Sequence, residues 1–551
     1  MDFNLAEIHE AIAAAVPERE CIVHGTRRLT WAEVNDRSRR LGNLLRTRGL
    51  GTIRERAGLA GWESGQDHLA LYLYNGCEYL EGMLGSFKAR VAPFNVNYRY
   101  VEEELLYLMR DARPRAILYH AAFAPLLAKI LPQIEGLDVL LQVADESGNA
   151  LLPGALDYEQ ALAAAAPERP PGPWSPDDLY VIYTGGTTGM PKGVLWRQAD
   201  IFVTALGGRR GDGPEFASLD AIVEHARRGK ARSLPAPPFM HGAASWNAFT
   251  TFHTGGTVIV LDQVQRLDPD DVWRTIERER VTSMLIVGDA FARPLVDQLR
   301  QGGYDASSLR LIVSGGAPLN TTLKRALHEL LPTVTLLDAV GSSETGRQGQ
   351  SLSANASEVA AGSFQPVPDN CVLSEDHARI LAVGDVEIGW LAKSGRVPLG
   401  YLGDAAKTQR TFPELGGVRY SLPGDRARVG ATGAIELLGR DSVTINSGGE
   451  KIFAEEVEHA LKCHPAVYDT VVVGRPSERW GQEVVALVQL RGDSAGDDVT
   501  RAALLEECAR HVARYKLPKA VIFLGQIVRS PSGKADYRWA QAEALAHPQP
   551  A

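Results

Sequence analysis

The sequence lacks the features that mark a secreted or membrane-spanning protein. Its 551 residues include only five cysteines, far apart and without a Cys-x-x-Cys pair, which favours neither a disulfide framework nor a zinc site. No run approaches the roughly 18 apolar residues of a membrane-spanning helix. The N-terminus "MDFNLAEIHE" has no basic segment followed by an apolar core, so no signal peptide is predicted. We therefore expect a cytoplasmic protein without a transmembrane segment.

An excess of positive charge is also missing. The net charge is −9 at pH 7 and the pI is near 5.9. Such a chain offers no basic surface that could release phosphate counterions, so we expect no nucleic-acid partner. Hydrophobic residues make up 45% and charged residues 23%, which is typical of soluble globular proteins. The length suffices for several domain-sized units.

Short apolar runs rich in β-branched residues alternate with longer amphipathic stretches over most of the chain. The runs predict buried strands at 69–75, 115–120, 139–143, 179–184, 257–261, 283–288 and 309–316. The amphipathic stretches predict helices at 79–90, 101–111, 268–280 and 318–331. This alternation predicts an α/β fold with layered, largely parallel sheets.

The pattern restarts on a smaller scale after about residue 438. Helices are expected at 452–464 and 499–514, and strands at 467–474 and 484–490. These elements predict a compact α+β unit of ordinary domain size. We therefore expect a large N-terminal domain over 1–438 and a small C-terminal domain over 439–551.

The segment "YTGGTTGMPKGV" at 183–194 contains four glycines, three threonines and one lysine. It directly follows an expected strand, and glycine-rich backbone in that position can bring amide N–H groups close to phosphate oxygens. It is not a Walker A loop, in which Gly-Lys-Ser/Thr opens a helix, because Gly193 and Val194 follow Lys192. Taken alone, the segment fits either a phosphate-binding loop or a flexible surface loop.

Further motifs follow this segment in order. They are "GSSETG" (341–346), "LPGD" (422–425) with "GRDSVTINSGGEKIFAEEVE" (439–458), and "RSPSGKADYRW" (529–539). Together the set resembles the adenylate-forming enzymes, which include acyl- and aryl-CoA synthetases, luciferases and nonribosomal-peptide adenylation domains. The resemblance extends from about residue 15 to about residue 540. Flanking segments such as "GMPKGVLWRQADIF" look closest to bacterial acyl-CoA synthetases that activate long-chain and steroid side-chain carboxylates.

The resemblance implies a reaction in two halves that uses ATP, Mg²⁺ and CoA. A carboxylate attacks the α-phosphate of ATP and gives an acyl-adenylate and pyrophosphate. The thiol of CoA then attacks the acyl carbon, and AMP leaves. The first half requires charge neutralisation and in-line positioning more than covalent chemistry from the protein. The small C-terminal domain is expected to be mobile between the two halves.

The resemblance also implies which residues bind the nucleotide. The β- and γ-phosphates would lie against Thr184, Gly185, Gly186, Thr187, Thr188, Gly189, Met190, Pro191 and Lys192. Adenine would lie against Gly315, Gly316 and Ala317. Asp425 would accept the ribose hydroxyls, and Arg440 would reach the ribose and phosphate. The alternatives are an ordinary turn acid for Asp425 and a plain strand-to-helix turn for the two glycines.

Glu344 is the implied Mg²⁺ ligand, because this hard cation prefers carboxylate and phosphate oxygens. Gly341 and Ser342 precede it in the motif, and Ser343, where the family usually has threonine, would contact the α-phosphate. A solvated loop acid is the alternative for Glu344. Lys534 in "SPSGKAD" would reach from the C-terminal domain to the reacting carboxylate and stabilise the developing charge. A surface lysine is the alternative there.

Substrate and CoA contacts are implied at several further positions. Ser447, Gly448 and Gly449 would line the pantetheine tunnel, and His241, Gly242 and Gly288 would face the acyl group. A structural histidine packed by Phe239 and Trp246 is an equal alternative for His241. Small residues in "HGAASWNAF" (241–249) and "GDAFARP" (288–294) leave room in the acyl pocket, so we expect a long or bulky carboxylate.

Two positions depart from the family pattern. Val340 stands where many relatives have a tyrosine that stacks on adenine, and Ser442 replaces the acid expected at the domain hinge. Serine tolerates turn geometry, so domain rotation remains expected.

Several functions stay open at this point. An acid–thiol ligase that makes acyl-CoA is expected first. The alternatives are an aryl-CoA ligase, a ligase that loads a separate carrier protein, a catalytically silent nucleotide-binding protein and a luciferase-like oxygenase. A homodimer is the default expectation for the oligomeric state.

Overall fold

The computed structural model of the chain describes residues 1–184, 190–359, 362–447, 450–477, 480–492, 494–530 and 533–547. The N-terminal elements are α1 (Leu5–Ala15), β1 (Glu20–His24), β2 (Arg27–Thr30), α2 (Trp31–Thr47), β3 (His68–Tyr72), α3 (Cys77–Ala89), β4 (Ala92–Asn95), α4 (Glu102–Ala112), β5 (Ala116–His120), α5 (Ala124–Ile130), β6 (Val139–Val143), β7 (Leu156–Asp157) and α6 (Tyr158–Ala164).

The middle of the chain continues the alternation. Its elements are β8 (Leu179–Thr184), β9 (Lys192–Arg197), α7 (Gln198–Ala205), α8 (Leu219–Arg228), β10 (Arg232–Pro235), α9 (Gly242–His253), β11 (Thr257–Val260), α10 (Pro269–Glu279), β12 (Ser283–Ile286), α11 (Gly288–Leu299), β13 (Leu311–Gly315), α12 (Thr321–Leu330), β14 (Thr335–Ser342) and β15 (Gly346–Ser353).

The C-terminal third is richer in short strands. Its elements are β16 (Ser363–Pro366), β17 (Asn370–Leu373), β18 (Gly389–Lys393), β19 (Gly400–Tyr401), α13 (Ala405–Thr411), β20 (Glu414–Leu415), β21 (Val418–Arg419), β22 (Asp425–Val429), β23 (Ile435–Arg440), β24 (Thr444–Ser447), β25 (Glu450–Phe453), α14 (Ala454–Lys462), β26 (Val467–Ser477), β27 (Gly481–Leu490), α15 (Asp498–His511), β28 (Ala520–Phe523) and α16 (Tyr537–Ala546).

The strands predicted from apolar runs are present, within a few residues at each end. Over the described residues, β4–β3–β5–β6–β7 form a parallel sheet, and the largest sheet has the order β17–β18–β22–β23–β16–β15–β14–β13–β12–β10–β11–β1–β2. In the latter, β11, β10, β12, β13 and β14 are mutually parallel. Open α/β sheets bind ligands outside the carboxyl ends of such strands. The predicted α/β fold class is confirmed.

Local sequence sets where the helices beside these strands begin and end. In α10, the Asp268 side chain accepts from the backbone N–H groups of Asp270 and Asp271, and Pro269 occupies the first turn. Arg280 adopts a left-handed φ of 51° and ends the helix. The buried Trp273 indole N–H donates to the Leu295 carbonyl oxygen at 3.0 Å. This contact fixes α11 against α10 and so fixes the position of the helix that follows β12.

The C-terminal unit has its own sheet, in the described order β25–β24–β27–β26 with β28 beside β27. Its long strands are buried on both faces, because α14 and α15 cover one face and α16 the other. β23 ends at Arg440 in the large sheet, β24 begins at Thr444 in the small one, and a 3₁₀ turn over Asp441–Val443 connects them. The predicted boundary between 438 and 439 remains a prediction. Within the described ranges, no helix combines the length and apolar character needed to cross a bilayer.

Candidate active site

A cavity of about 890 Å³ lies between α9 and the face of the large sheet, and it opens at the carboxyl ends of β12, β13 and β14. Residues from distant parts of the sequence line it. The predicted site residues in its wall are Thr184, Met190, Pro191, His241, Gly242, Gly315, Gly316, Gly341, Ser342, Ser343 and Lys534. The structure therefore brings together parts of the expected phosphate, adenine, acyl and catalytic groups.

The expected phosphate loop connects the antiparallel strands β8 and β9. Thr184 and Lys192 are cross-strand partners at its two ends. Gly185, Gly186, Thr187, Thr188 and Gly189 lie outside the described residues. Lys192 Nζ lies 3.4 Å from Asp404 Oδ2. Burial lowers the pKa of Lys192, but nearby Tyr107 and Asp404 outweigh it, so the net shift is upward and the lysine stays charged.

Glu344 occupies the tip of the tight hairpin between β14 and β15. Ser342 pairs with Gly346 across this hairpin. The Tyr401 hydroxyl donates to Glu344 Oε1 at 2.9 Å, and the Ser421 hydroxyl donates to the Glu344 carbonyl oxygen at 2.7 Å. The first hydrogen bond orients the carboxylate of this half-buried residue, and the second fixes its backbone.

Ser343 is tied to the phosphate-loop hairpin through its backbone. The Trp196 indole N–H, on β9, donates to the Ser343 carbonyl oxygen at 2.8 Å. Trp196 is fully buried. A shift of β9 would therefore be transmitted directly to the segment that carries Glu344.

The donor set at this hairpin fits a magnesium ion held mainly by substrate. Tyr401 occupies only one carboxylate oxygen of Glu344, which leaves the other available. No cluster of three or more His, Cys, Asp or Glu side chains suited to a metal occurs among the described residues. Mg²⁺ in phosphate-transfer sites is commonly held by one or two carboxylates together with phosphate oxygens and water.

Asp425 and Arg440 face each other across β22 and β23. They are direct cross-strand partners, and Arg440 Nε donates to Asp425 Oδ1 at 3.3 Å. The neighbouring Asp425 carboxylate raises the pKa of Arg440, although burial opposes it. The pair stands beside the cavity, at the end of the last strand before the C-terminal unit.

Lys534 lies on the cavity wall next to the expected adenine segment. A β-carbon at Gly316 would stand 3.9 Å from Lys534 Cε, and Gly316 itself has a left-handed φ of 88°. Burial lowers the pKa of Lys534, Arg440 lowers it further, and Glu344 and Asp425 oppose this. The ammonium therefore lies within the electrostatic range of Glu344 and Asp425.

His241 precedes the first turn of α9 and faces the cavity. Its Nε2 atom is buried without a hydrogen-bond partner in the described structure. Burial lowers the pKa of His241 to about 3, and Lys534 and Arg99 contribute. The ring is therefore neutral near pH 7. A β-carbon at Gly242 would approach Trp246 at 3.3 Å and Ile182 at 2.9 Å, so Gly242 permits close packing at this point.

Gly288 is not part of the cavity wall. A side chain there would stand 2.4 Å from the Pro318 carbonyl oxygen and 2.8 Å from that of Ala317. Gly288 therefore packs closely against the backbone of Ala317 and Pro318, outside the cavity lining. The following residues of α11 instead contact the C-terminal unit: Lys462 lies against Asp289, and the Arg293 guanidinium lies 5.0 Å from the Tyr468 ring centre.

The remaining sequence-predicted positions are located as follows. Ser447 is 7% exposed, ends β24 and pairs with Glu450 and Gly481. Gly448 and Gly449 lie outside the described residues. Val340 lines the cavity, as an apolar residue in the place of the family's tyrosine. Ser442 lies in the turn between the two sheets.

Sequence reasoning missed several residues that support the site. Tyr401 and Asp404 belong to "GYLGD", a segment without periodicity, and only the pairing of β19 with β9 brings it to the loop. Asn95 bonds the backbone of both Tyr183 and Met240 and so joins β8 to the segment before α9. No motif in the sequence marks these non-local contacts.

Glu455 was also missed, although it belongs to a motif. It lies in the first turn of α14, and its Oε2 would be 3.4 Å from a β-carbon at Gly439. Burial raises the pKa of Glu455 to about 7, and Glu458 and Asp425 add to this. A carboxyl group that titrates near neutral pH therefore lies behind Arg440.

Comparisons with known proteins agree with this geometry. The family described as "AMP-binding enzyme" matches residues 9–395, and "AMP-binding enzyme C-terminal domain" matches residues 456–534. The "Medium-chain acyl-CoA ligase Mig" of Mycobacterium avium is 55% identical over 545 residues, which cover 98% of each chain. A "3-oxocholest-4-en-26-oate--CoA ligase" of Rhodococcus rhodochrous is 38% identical over 98% of this chain and 96% of its own.

Solved structures share the fold over nearly the full length. The anthranilate CoA ligase AuaEII in complex with anthranoyl-AMP superposes with a TM-score of 0.82, covering 99% of this chain and 98% of its own. ATP-bound MatB from Rhodopseudomonas palustris superposes with a TM-score of 0.80 and covers 99% of both chains. Both are 22% identical in sequence, so these likenesses concern the fold.

Proposed function

The chain belongs to the AMP-binding enzyme family, as its motifs predicted, and from that membership we propose that it is an ATP-dependent acyl-CoA synthetase. The overall reaction converts a carboxylate, ATP and CoA into acyl-CoA, AMP and pyrophosphate, which makes it an acid–thiol ligase. The observation that carries the proposal is the position of Lys534. This lysine of the C-terminal unit lines the same cavity as Thr184, Ser342 and Gly316.

In the first half-reaction, the chain's own residues position charge around the α-phosphate. Lys534 stabilises the negative charge shared by the attacking carboxylate and the phosphate. The hydroxyls of Thr184 and Ser343 donate to phosphate oxygens, and Lys192 neutralises the departing pyrophosphate. Glu344 would hold Mg²⁺, which when bound supplies positive charge to the phosphates. The Tyr401 hydroxyl orients that carboxylate.

The nucleoside is held by residues beside the cavity. Asp425 accepts hydrogen bonds from the ribose hydroxyls while Arg440 remains next to it. Gly315 and Gly316 let the backbone approach the adenine ring closely, with Val340 as apolar packing. His241 is neutral, so it borders the acyl carboxylate without adding charge.

The second half-reaction requires a different position of the C-terminal unit. We place the boundary between 1–438 and 439–551, with rotation in the turn that contains Ser442. Ser447, Gly448 and Gly449 then admit the pantetheine arm. The interface between α11 and the C-terminal unit must open during this rotation.

The acyl substrate is a long or bulky carboxylate. A cavity of about 890 Å³ supports this, because it lies within the range of pockets that enclose drug-sized ligands. The names of the relatives, a medium-chain and a steroid side-chain CoA ligase, agree with it.

A substrate screen tests the proposal. Purified protein is given ATP, Mg²⁺ and CoA with short, medium and long fatty acids, benzoates and steroid side-chain acids, and pyrophosphate and acyl-CoA are measured. We expect acyl-CoA from bulky or long acids. Far faster turnover of acetate would refute the substrate class, fastest turnover of benzoates would favour an aryl-CoA ligase, and pyrophosphate without acyl-CoA would favour a carrier-protein acceptor.

Two further points belong to the proposal. We assign the enzyme to the cytoplasm, where ATP and CoA are present, and fractionation of cells tests this. We also assign a homodimer as the default state, and light scattering of the eluting protein tests that.

A further inference from the structure

The deep part of the cavity contains a polar row, formed by Ser233, Ser283 and Asn247. This row lies where the methyl end of an ordinary fatty acid would be. On β12 and β13 the lining residues alternate, so one sheet face forms the wall. Next to the reaction end, the cross-strand pair is Leu285 and Val313. One step deeper, the paired residues are Ser233, Ser283 and Leu311. The wall thus changes from apolar to partly polar along the strands.

Helix α9 adds an amide opposite these serines. Asn247 lines the cavity, and the Ser233 hydroxyl donates to Asn247 Oδ1 at 3.0 Å. Ser233 is 2% exposed, so this polar group lies inside the protein and not at its surface. The hydrogen bond from Ser233 fixes the orientation of the Asn247 amide.

Two polar groups at this level remain unsatisfied in the described structure. Thr250 and Thr251 also line the cavity, but their hydroxyls donate to the carbonyl oxygens of Ala205 and Asn247. Asn247 Nδ2 and the Ser283 hydroxyl have no protein partner among the described residues. Burying such groups against a hydrocarbon chain costs free energy, because their hydrogen bonds to water are lost without replacement.

Resting on the proposed function, we propose that Asn247 and Ser283 select acyl substrates that carry an oxygen far from the reacting carboxylate. A hydroxyl or ketone oxygen would accept hydrogen bonds from Asn247 Nδ2 and from the Ser283 hydroxyl. The substrate class is therefore carboxylic acids with a distal hydroxyl or keto group.

The geometry sets the distance between the two ends of the substrate. Lys534 adjoins Gly316, which lies at the level of Val287. From Val287 back to Ser283 are four residues of extended chain, or about 13 Å at about 3.3 Å per residue. An extended carbon chain covers about 1.2 Å per bond, so about eleven bonds span this distance. A terminal oxygen on an acid of about twelve carbons would reach the polar row.

The test compares matched acids that differ only at the far end. Specificity constants are measured with ATP and CoA for plain and terminally hydroxylated straight-chain acids over a range of lengths. We expect kcat/KM to be about tenfold higher for 12-hydroxydodecanoate than for dodecanoate, which corresponds to about 1.4 kcal/mol. The preference should fall for chains much shorter than about ten carbons, because their oxygen cannot reach Asn247.

Variants assign the preference to these residues. In Asn247→Leu and Ser283→Ala, the hydroxy-to-plain ratio should fall towards one, while kcat/KM for dodecanoate rises. Measurable dodecanoate turnover also shows that each variant is folded. Val313→Ala is the matched control in the apolar row: it should change both acids alike and leave the ratio unaltered.

The outcomes separate this inference from the proposed function. A wild-type ratio of one or below at every length overturns the inference, as does an unchanged ratio in both Asn247→Leu and Ser283→Ala. Plain acids would then still be converted, and the proposed function would stand. If no acid yields CoA-dependent AMP, the proposed function fails and this inference fails with it.

Discussion

Lys462 Nζ of α14 lies 3.1 Å from Asp289 Oδ2 of α11, and both side chains are at most 7% exposed. A buried ion pair therefore joins the C-terminal unit to the helix layer of the large sheet. Burial raises the pKa of the Asp289 carboxyl, but Lys462 and Asn320 outweigh it, and the net shift is downward. Asp289 thus stays ionised, and its charge holds the C-terminal unit where Lys534 reaches the cavity.

Lys462→Met should slow acyl-adenylate formation about tenfold or more and spare thioester formation from supplied acyl-adenylate. The substitution leaves a buried carboxylate without its counter-charge, which weakens this docked arrangement. Single-turnover measurements of each half-reaction check it. Lys516→Met is the control, because Lys516 pairs with Glu456 inside the C-terminal unit. Equal loss in both half-reactions would contradict the role of the Lys462–Asp289 pair in holding the arrangement that forms acyl-adenylate.

Lys534→Ala should lower the rate of adenylation by about 10²–10³ and leave thioester formation from preformed acyl-adenylate largely intact. A preorganised cation next to developing charge typically contributes that much to a rate. Pyrophosphate release measures the first step, and CoA consumption from synthetic acyl-adenylate measures the second. Comparable losses in the two steps would refute the role of Lys534.

Tyr401→Phe should lower adenylation about tenfold and raise the Mg²⁺ concentration needed for half-maximal rate. The variant removes the hydroxyl that orients Glu344, and the carboxylate then has more freedom. Titration of Mg²⁺ at saturating ATP and acid measures the effect. Tyr119→Phe is the control, since its hydroxyl donates to Gln142 at 2.8 Å in the separate parallel sheet. An unchanged Mg²⁺ dependence in Tyr401→Phe would exclude this orienting role.

Glu455→Gln should remove a pH dependence of stability between about pH 5 and about pH 8. The pKa of Glu455 is about 7 in the folded protein against 4.5 in the unfolded chain, so folding favours the protonated carboxyl. Its stabilising contribution is complete below about pH 4.5 and is lost as the pH rises through about 7, amounting to roughly 3 kcal/mol.

Urea denaturation at the two ends of this pH range measures how Glu455 changes the free energy of unfolding. The wild-type free energy of unfolding should fall relative to that of Glu455→Gln as the pH rises. Glu450→Gln, at an exposed position on the neighbouring strand, is the control and should follow the wild type. Parallel pH profiles for all the proteins would show that Glu455 does not titrate in this range.

The sequence predicted the parts of the molecule that rest on local patterns. Apolar runs such as 179–184 and 283–288 became buried strands, because a strand covered on both faces needs continuous hydrophobicity. The glycine-rich hairpin and the Gly341–Gly346 turn were recognisable, because chemistry and backbone geometry restrict their residues. The match to the AMP-binding enzyme family over 9–395 confirms the family that these motifs predicted, while the roles of their residues stay predictions.

Contacts between distant segments could not be predicted in this way. "GDAFARP" suggested an acyl wall because its residues are small, yet Asp289 and Arg293 contact the C-terminal unit. No sequence pattern around residue 289 predicts the contact of Asp289 with Lys462. Likewise, the polar row in the cavity forms only when Ser233, Ser283 and Asn247 meet through sheet register and helix packing.

The close packing at Gly316 has a consequence for the order of events. Gly316 belongs to the expected adenine segment and adjoins Lys534, while Gly288, at the start of the helix that carries Asp289, supports Ala317 from behind. The C-terminal unit thus contacts this short strand-to-helix segment through Lys534 on the cavity side and holds the supporting helix α11 through Lys462. In the proposed complex, adenine would lie against the same segment. By thermodynamic linkage, if ATP binding stabilises the closed arrangement by a given free energy, closure strengthens ATP binding by the same free energy. If the proposed nucleotide site is correct, we expect opening of the interface to loosen the hold on AMP and so to couple product release to the domain motion.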